Sequence, residues 1–115
     1  MKILNRKEFL TLDKEVLYTL YEPCIFTGLF IKNNTLKNDN GENIDFFISE
    51  IIAPIDCENS GEYTDKCIEA GENHIDLQLD FKSLSRDGMF DEEELYAVYS
   101  KKDIKKLIER LNELL

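Results

Sequence analysis

Residues 83–94, SLSRDGMFDEEE, have the spacing in this chain that comes nearest to coordinating a metal ion. A calcium loop of the EF-hand type wants acids at positions 1, 3 and 5, glycine at 6, an apolar residue at 8 and glutamate at 12. Counted from Ser83, Asp87, Gly88, Phe90, Asp91 and Glu94 fall at 5, 6, 8, 9 and 12. Ser83 and Ser85 stand where the first two carboxylates belong, and a hydroxyl is a poor substitute for their charge. Such a loop also needs a helix on each side, whereas residues 74–81 alternate with period two and 95–101 read as a strand. The stretch is therefore expected to be a water-facing connection with its tight turn at Arg86-Asp87-Gly88, and no metal or other cofactor is expected.

Other chemistry is sparse. A nucleophile needs a base beside it, and the single histidine, His74, is expected on the outer face of a strand. Cys24, Cys57 and Cys67 form an odd set without a paired spacing, which suits a reducing cytoplasm better than a disulfide framework. Cys24 precedes an apolar run and reads as a core thiol. With no glycine-rich phosphate loop and no His/Cys metal set, nothing in the sequence argues for an enzyme.

The charge is more informative. Between Asp56 and Glu94 lie 13 acids against Lys66, Lys82 and Arg86, so the whole formal charge of −10 resides in that third of the chain. Phosphate contacts need concentrated Lys and Arg, so direct nucleic-acid binding and docking on an anionic membrane are not expected. A protein partner with a basic surface is, with plain solubility as the alternative. The residues expected to carry such contacts are Asp76, Asp80, Asp87, Asp91, Glu92 and Glu93, which in register would form a negative strip able to compete for a nucleic-acid channel. Lys101, Lys102, Lys105 and Lys106 oppose the dipole at the start of the last helix, and pairing with the acidic loop would compensate; an anion site is the other reading.

The elements that must position these groups follow from periodicity. Asn5 with Glu8 is a capping box opening a short helix. VLYTLYE (16–22) and CIFTGLFIK (24–32) read as strands, the second covered on both faces, with Gly28 marking either a bulge or a close backbone approach. Residues 33–43 are an Asn-rich loop with Asn40-Gly41 at its tip, and 44–52 are the next strand. Residues 53–73 stay unassigned, with YTDKCIEA either helix or strand. HIDLQLDF (74–81) is the cleanest alternation in the chain. Ser100 with Asp103 caps a final helix whose stripe of Ile104, Leu107, Ile108, Leu111, Leu114 and Leu115 is expected to bury on the sheet. The fold class is α+β, one domain over residues 1–115. It comprises an antiparallel sheet of about five strands, a short N-terminal helix and an amphipathic C-terminal helix packed on it. The start, MKILNRKEFL, has no apolar run long enough for a signal peptide.

The block RKEFLTLDKEVLYTLYEPCIFTGLFIK (6–32) resembles small uncharacterised proteins encoded by phages and prophages of low-GC bacteria. RDGMFDEEELYAVYSKKDIKKLIERL, toward the C-terminus, is similar to the end of the same proteins. The resemblance implies a cytoplasmic accessory protein acting during infection, of the kind that inhibits a host nucleic-acid-handling or defence complex such as a CRISPR effector. Two other functions fit the residues. One is a binder that sequesters a signalling nucleotide, stacking it on Tyr18, Tyr21 or Tyr99 with the lysines of 101–106 on its phosphates. The other is a structural or regulatory protein without a ligand, forming homo-oligomers through an exposed sheet edge.

Overall fold

The computed structural model describes residues 1–115 as six strands and three helices. Strand β1 (Lys2–Asn5) runs directly into helix α1 (Arg6–Leu10). The junction is the expected capping box: the Glu8 amide donates to the Asn5 side chain at 2.8 Å, and the Asn5 amide donates to the Glu8 carboxylate at 3.2 Å. Two donors that a helix start leaves unpaired are thereby satisfied, which matters for an element only five residues long.

Strand β2 (Val16–Glu22) turns at Pro23-Cys24 into the 13-residue β3 (Ile25–Lys37). Cys24 takes a left-handed conformation, φ 71°, at the exposed tip of this turn, so it is no core thiol. Ile25 and Phe26 beside it are exposed too, so the run is not covered on both faces. Gly28 does mark a bulge: its φ is 73°, the β2–β3 register slips between Tyr18 and Leu20, and a Cβ there would sit 2.5 Å from the Phe30 ring. Strand β3 also continues through the first half of the expected Asn-rich loop. A second irregularity after Lys32 resets its register, so that Thr35 and Leu36 pair with strand β4 (Asn43–Glu50). The remaining turn closes at Gly41, φ 77°, with the Asn38 side chain accepting the amides of Asn40 and Glu42.

Residues 51–84 form an excursion from the sheet. It contains helix α2 (Ser60–Asn73), entered at an Asn59 cap and ended by His74 in the left-handed conformation, φ 54°. His74 is thus a helix C-cap, not a residue on a strand. The expected strand at 74–81 does not form either. Its only ladder-like contact is a bridge between Leu79 and Ile55, flanked by hydrogen bonds from Asp56 to Gln78 and from Asp80 to Pro54. Alternation makes a half-buried strand only where a partner and a core exist. Here the partner segment contains Pro54, which has no amide to donate, and Ile75, Leu79 and Phe81 remain exposed.

Strand β5 (Ser85–Arg86) pairs with β4, and strand β6 (Leu95–Val98) lies between β1 and β2. The six strands are ordered β1-β6-β2-β3-β4-β5, and every pairing is antiparallel. Helix α1 covers one face. Phe9 is fully buried there, stacked on Tyr96 at 3.9 Å between ring centroids, with Tyr18 and Phe46 edge-on at 4.7 and 5.2 Å. Leu4 and Leu10 complete this core. The chain ends in helix α3 (Lys101–Asn112), entered through the expected Ser100/Asp103 capping box. The fold is α+β with a short helix near each end, but α3 buries none of its residues, and Ile108, Leu111, Leu114 and Leu115 stay exposed.

Candidate functional site

The acidic residues singled out from the sequence divide into two kinds. From β5 at one edge to β6 near the other, residues 87–94 must cross four inter-strand spacings, about 19 Å. They cross on the face that carries α1. Asp87, at the start of this crossing, is half-buried, 3.7 Å from the Arg6 guanidinium. Burial pushes its carboxyl up in pKa, against the Met89 amide and Arg6. It is therefore a member of the folded core and not a free surface charge. Asp91, Glu92 and Glu93 lie in the exposed turn before β6, while Asp76 and Asp80 lie in the extended part of the excursion beyond the far edge. The negative strip along one strand face does not form, because that strand does not form.

A buried charged cluster anchors the crossing. Asp45 on β4 is fully buried. Burial would raise its pKa, but the 2.6 Å bond from Arg86 and the amides of Phe46 and Gly88 hold the carboxyl below its ordinary value. Arg6 donates to the Tyr96 hydroxyl at 2.9 Å and to the Ile44 carbonyl at 3.0 Å. Tyr96, desolvated, is pushed up to about 12. The Arg86 guanidinium lies over the Phe90 ring. These contacts connect α1, β4, β5 and β6 and leave no polar side-chain atom of the interior without a partner. They form a structural network that ties these elements together.

Residues 56–94 expose apolar side chains as well as acids. Ile68 and Ile75, then Leu79, Phe81 and Leu84, and finally Met89 (74 % exposed) and Phe90 are all large apolar side chains open to water. They share residues 56–94 with the 13 acids.

A second feature was not legible in the sequence. A groove of about 830 Å³ lies between α1 with the loop after it and the first turn of α3. Its floor is Leu4, Leu12, Val16, Val98 and Ile104. Lys2, Lys7, Lys14 and Lys101 line it together with Glu8 and Glu15, and none of these lysines is ion-paired, in a chain whose formal charge is −10. Sequence distance hid the groove, since its walls come from residues 1–16 and 98–104. The expected pairing of Lys101, Lys102, Lys105 and Lys106 with the acidic loop is not made. Asp103 instead bonds the Met1 amine at 2.6 Å, which holds its carboxyl well below the usual range. Of the three tyrosines proposed for stacking, Tyr18 is 1 % exposed and belongs to the core, Tyr21 packs with Phe26, and Tyr99 lines the groove.

No three His, Cys, Asp or Glu side chains converge as a metal set, and residues 83–94 include strand β5 instead of running between two helices. No helix is long and apolar enough to cross a membrane. No family model matches the chain, and no curated protein or solved structure matches it either.

Proposed function

We propose that this chain is an interaction protein, an accessory factor of the phage type that blocks a nucleic-acid-handling or defence complex of its host. It engages a basic protein surface through residues 56–94. The observation that carries this reading is the mixture of charge and apolar exposure in one segment. Carboxylates alone would serve solubility, but a solubilising surface has no use for exposed Phe81, Leu84, Met89 and Phe90. Apolar anchors within a charged rim are what a specific interface needs, and a channel that holds nucleic acid supplies the complementary basic wall. Asp76, Asp80, Asp91, Glu92 and Glu93 steer the encounter, while Asp87 positions the loop through Arg6.

The test compares proteins captured from a bacterial lysate by the wild type, by the reversal D91K/E92K/E93K and by F81S/L84S, followed by competition of the captured protein with its own nucleic acid. The same partner should be lost by both variants, and its nucleic acid should displace the wild-type chain. Equal capture by all three sinks the proposal. A second reading keeps the small-molecule binder but moves it to the groove, with Tyr99 for stacking and Lys101 for phosphate. Native mass spectrometry on freshly purified protein would then show an adduct of several hundred daltons.

A further inference from the structure

The tip of the β3–β4 hairpin carries the chain's one Asn-Gly pair, Asn40-Gly41. Four hydrogen bonds hold this turn, and all of them involve Asn38. The Gly41 amide donates to the Asn38 carbonyl at 3.0 Å, and the Asn38 amide donates to the Glu42 carbonyl at 2.9 Å. The Asn38 side-chain oxygen accepts the amides of Asn40 and Glu42, both at 3.0 Å. Asn40 itself is exposed; its backbone amide is bonded and its side chain is not.

The side-chain carbonyl carbon of an asparagine and the next backbone nitrogen are placed to close a five-membered ring. What ordinarily hinders closure is the side chain of the following residue. Gly41 has none, and nothing lies within 4 Å of where a Cβ would stand. We propose that Asn40 is a self-modifying site, converted through a cyclic imide into aspartate and isoaspartate, and that Asn38 governs the rate. The Gly41 nitrogen gives up its proton and bonds to Cγ of Asn40, and the Cγ–Nδ2 bond breaks to release ammonia. Water then opens the ring at one of its two carbonyls. One opening leaves aspartate, and the other leaves isoaspartate, in which the backbone runs through the former side chain. Nothing is oxidised or reduced, and water is the only co-reactant.

Every other asparagine is engaged or fixed. Asn5, Asn33, Asn38, Asn43 and Asn59 use their side chains in hydrogen bonds. Asn34, Asn73 and Asn112 lie within β3, α2 and α3, and none of them precedes a glycine. The turn that exposes Asn40 also restrains it. The proton that must leave Gly41 is the one bonded to Asn38, so the turn has to open before the nitrogen can attack. Two of the four bonds that keep it closed come from the Asn38 side chain. The product changes the neighbouring surface. Glu42 and Asn43, on the returning arm, line a cavity of about 440 Å³ together with Phe90 and Glu92 of the crossing. Conversion adds a carboxylate beside that arm, and isoaspartate lengthens the backbone of the turn that sets Lys37 opposite Asn43.

The test is incubation of the folded chain at mildly alkaline pH, with peptide mapping by mass spectrometry and isoaspartate counted by enzymatic methylation. Conversion should appear at residue 40 before any other asparagine. Asn38→Ala should accelerate it about fivefold or more, since two hydrogen bonds of the turn are lost. Asn38→Asp keeps an acceptor at the same place and should restore the slow rate, which separates the turn's bonds from a general loosening of the hairpin. Asn40→Gln, whose longer side chain must close a larger ring, should stop the reaction at this position. First conversion at another asparagine overturns the proposal, as does a folded chain that stays intact while the urea-unfolded chain converts. An Asn38→Ala chain that reacts no faster than the wild type overturns the part assigned to Asn38.

Discussion

Lys32 is the residue whose state reports most directly on the core. Its side chain lies fully buried beneath α1, its ammonium about 5.8 Å from the ring centroids of Phe9 and Phe46. It donates to the Leu12 and Asn33 carbonyls and to the Thr35 hydroxyl, so it fastens the loop after α1 onto the irregular stretch of β3. Desolvation pushes its pKa down to about 8 from an ordinary 10.5, with Asp13 a smaller opposing influence. Between those values the unfolded chain holds the proton and the folded chain has released it. The unfolded state therefore binds more protons, and stability must rise with pH. Chemical denaturation should show stability climbing from pH 8 to 10, with a slope of at most ~1.4 kcal/mol per pH unit. Above pH 10 the trend should reverse, because burial raises Tyr18 and Tyr96 and the folded state then keeps protons that the unfolded state loses. Lys32→Met retains an unbranched stem with nothing to titrate, and its profile should be flat over the same window. A wild-type profile as flat as the variant's would mean that the ammonium reaches water.

At the scale of the element, α3 depends on its ends because little packs against its middle. Its N-terminus is closed by Ser100 and Asp103 accepting each other's amides, and by the Met1 amine on the same carboxylate. A 12-residue helix without tertiary cover is marginal in water, so loss of the cap should cost ~1 kcal/mol and appear as lost helicity. Ser100→Ala should accordingly lower the far-UV helical signal while leaving the cooperative unfolding of the sheet core nearly unchanged, since α3 buries no residue. An unchanged far-UV signal would show that α3 does not depend on its cap. The caps, the Asn40-Gly41 turn, the bulge at Gly28 and the type of β2 and β4 were all legible in the sequence, because each rests on a few adjacent residues. Strand β1 was not, since four residues carry too little pattern and its partner β6 lies some 90 residues away. The alternation of 74–81 misled because periodicity reports what a segment could bury, while Pro54 and the absence of a facing layer decide what it does bury. Of the candidate site, charge was legible and placement was not: nothing near Asp87 announces that it meets Arg6, 81 positions earlier in the chain.

The whole molecule is built as a small sheet core bearing a large excursion. Every buried residue but Pro54 lies outside residues 51–84, and α2 contributes no buried side chain at all. The excursion nevertheless leaves from β4 and returns to β5, which are antiparallel neighbours with Ile48 opposite Ser85. Its two ends are therefore already as close as the arms of a hairpin, and a short connection could replace it. Replacing residues 55–82 by a two-residue Asn-Gly turn removes eight acids and two lysines, and with them six of the ten units of net negative charge. The Phe9–Tyr18–Phe46–Tyr96 cluster, the Lys32 network and the Arg6–Asp45–Asp87 anchor remain untouched. The shortened chain should thus unfold cooperatively and keep the aromatic near-UV signal of the parent. It should fail to hold any partner that Phe81 anchors. Partner binding that survives the deletion would restrict the interface to residues 83–94, where Leu84, Met89, Phe90 and the Asp91–Glu93 turn remain. Loss of the folded state would show instead that the excursion stabilises the sheet through the edge strand β5, whose two residues are the least supported of the six strands.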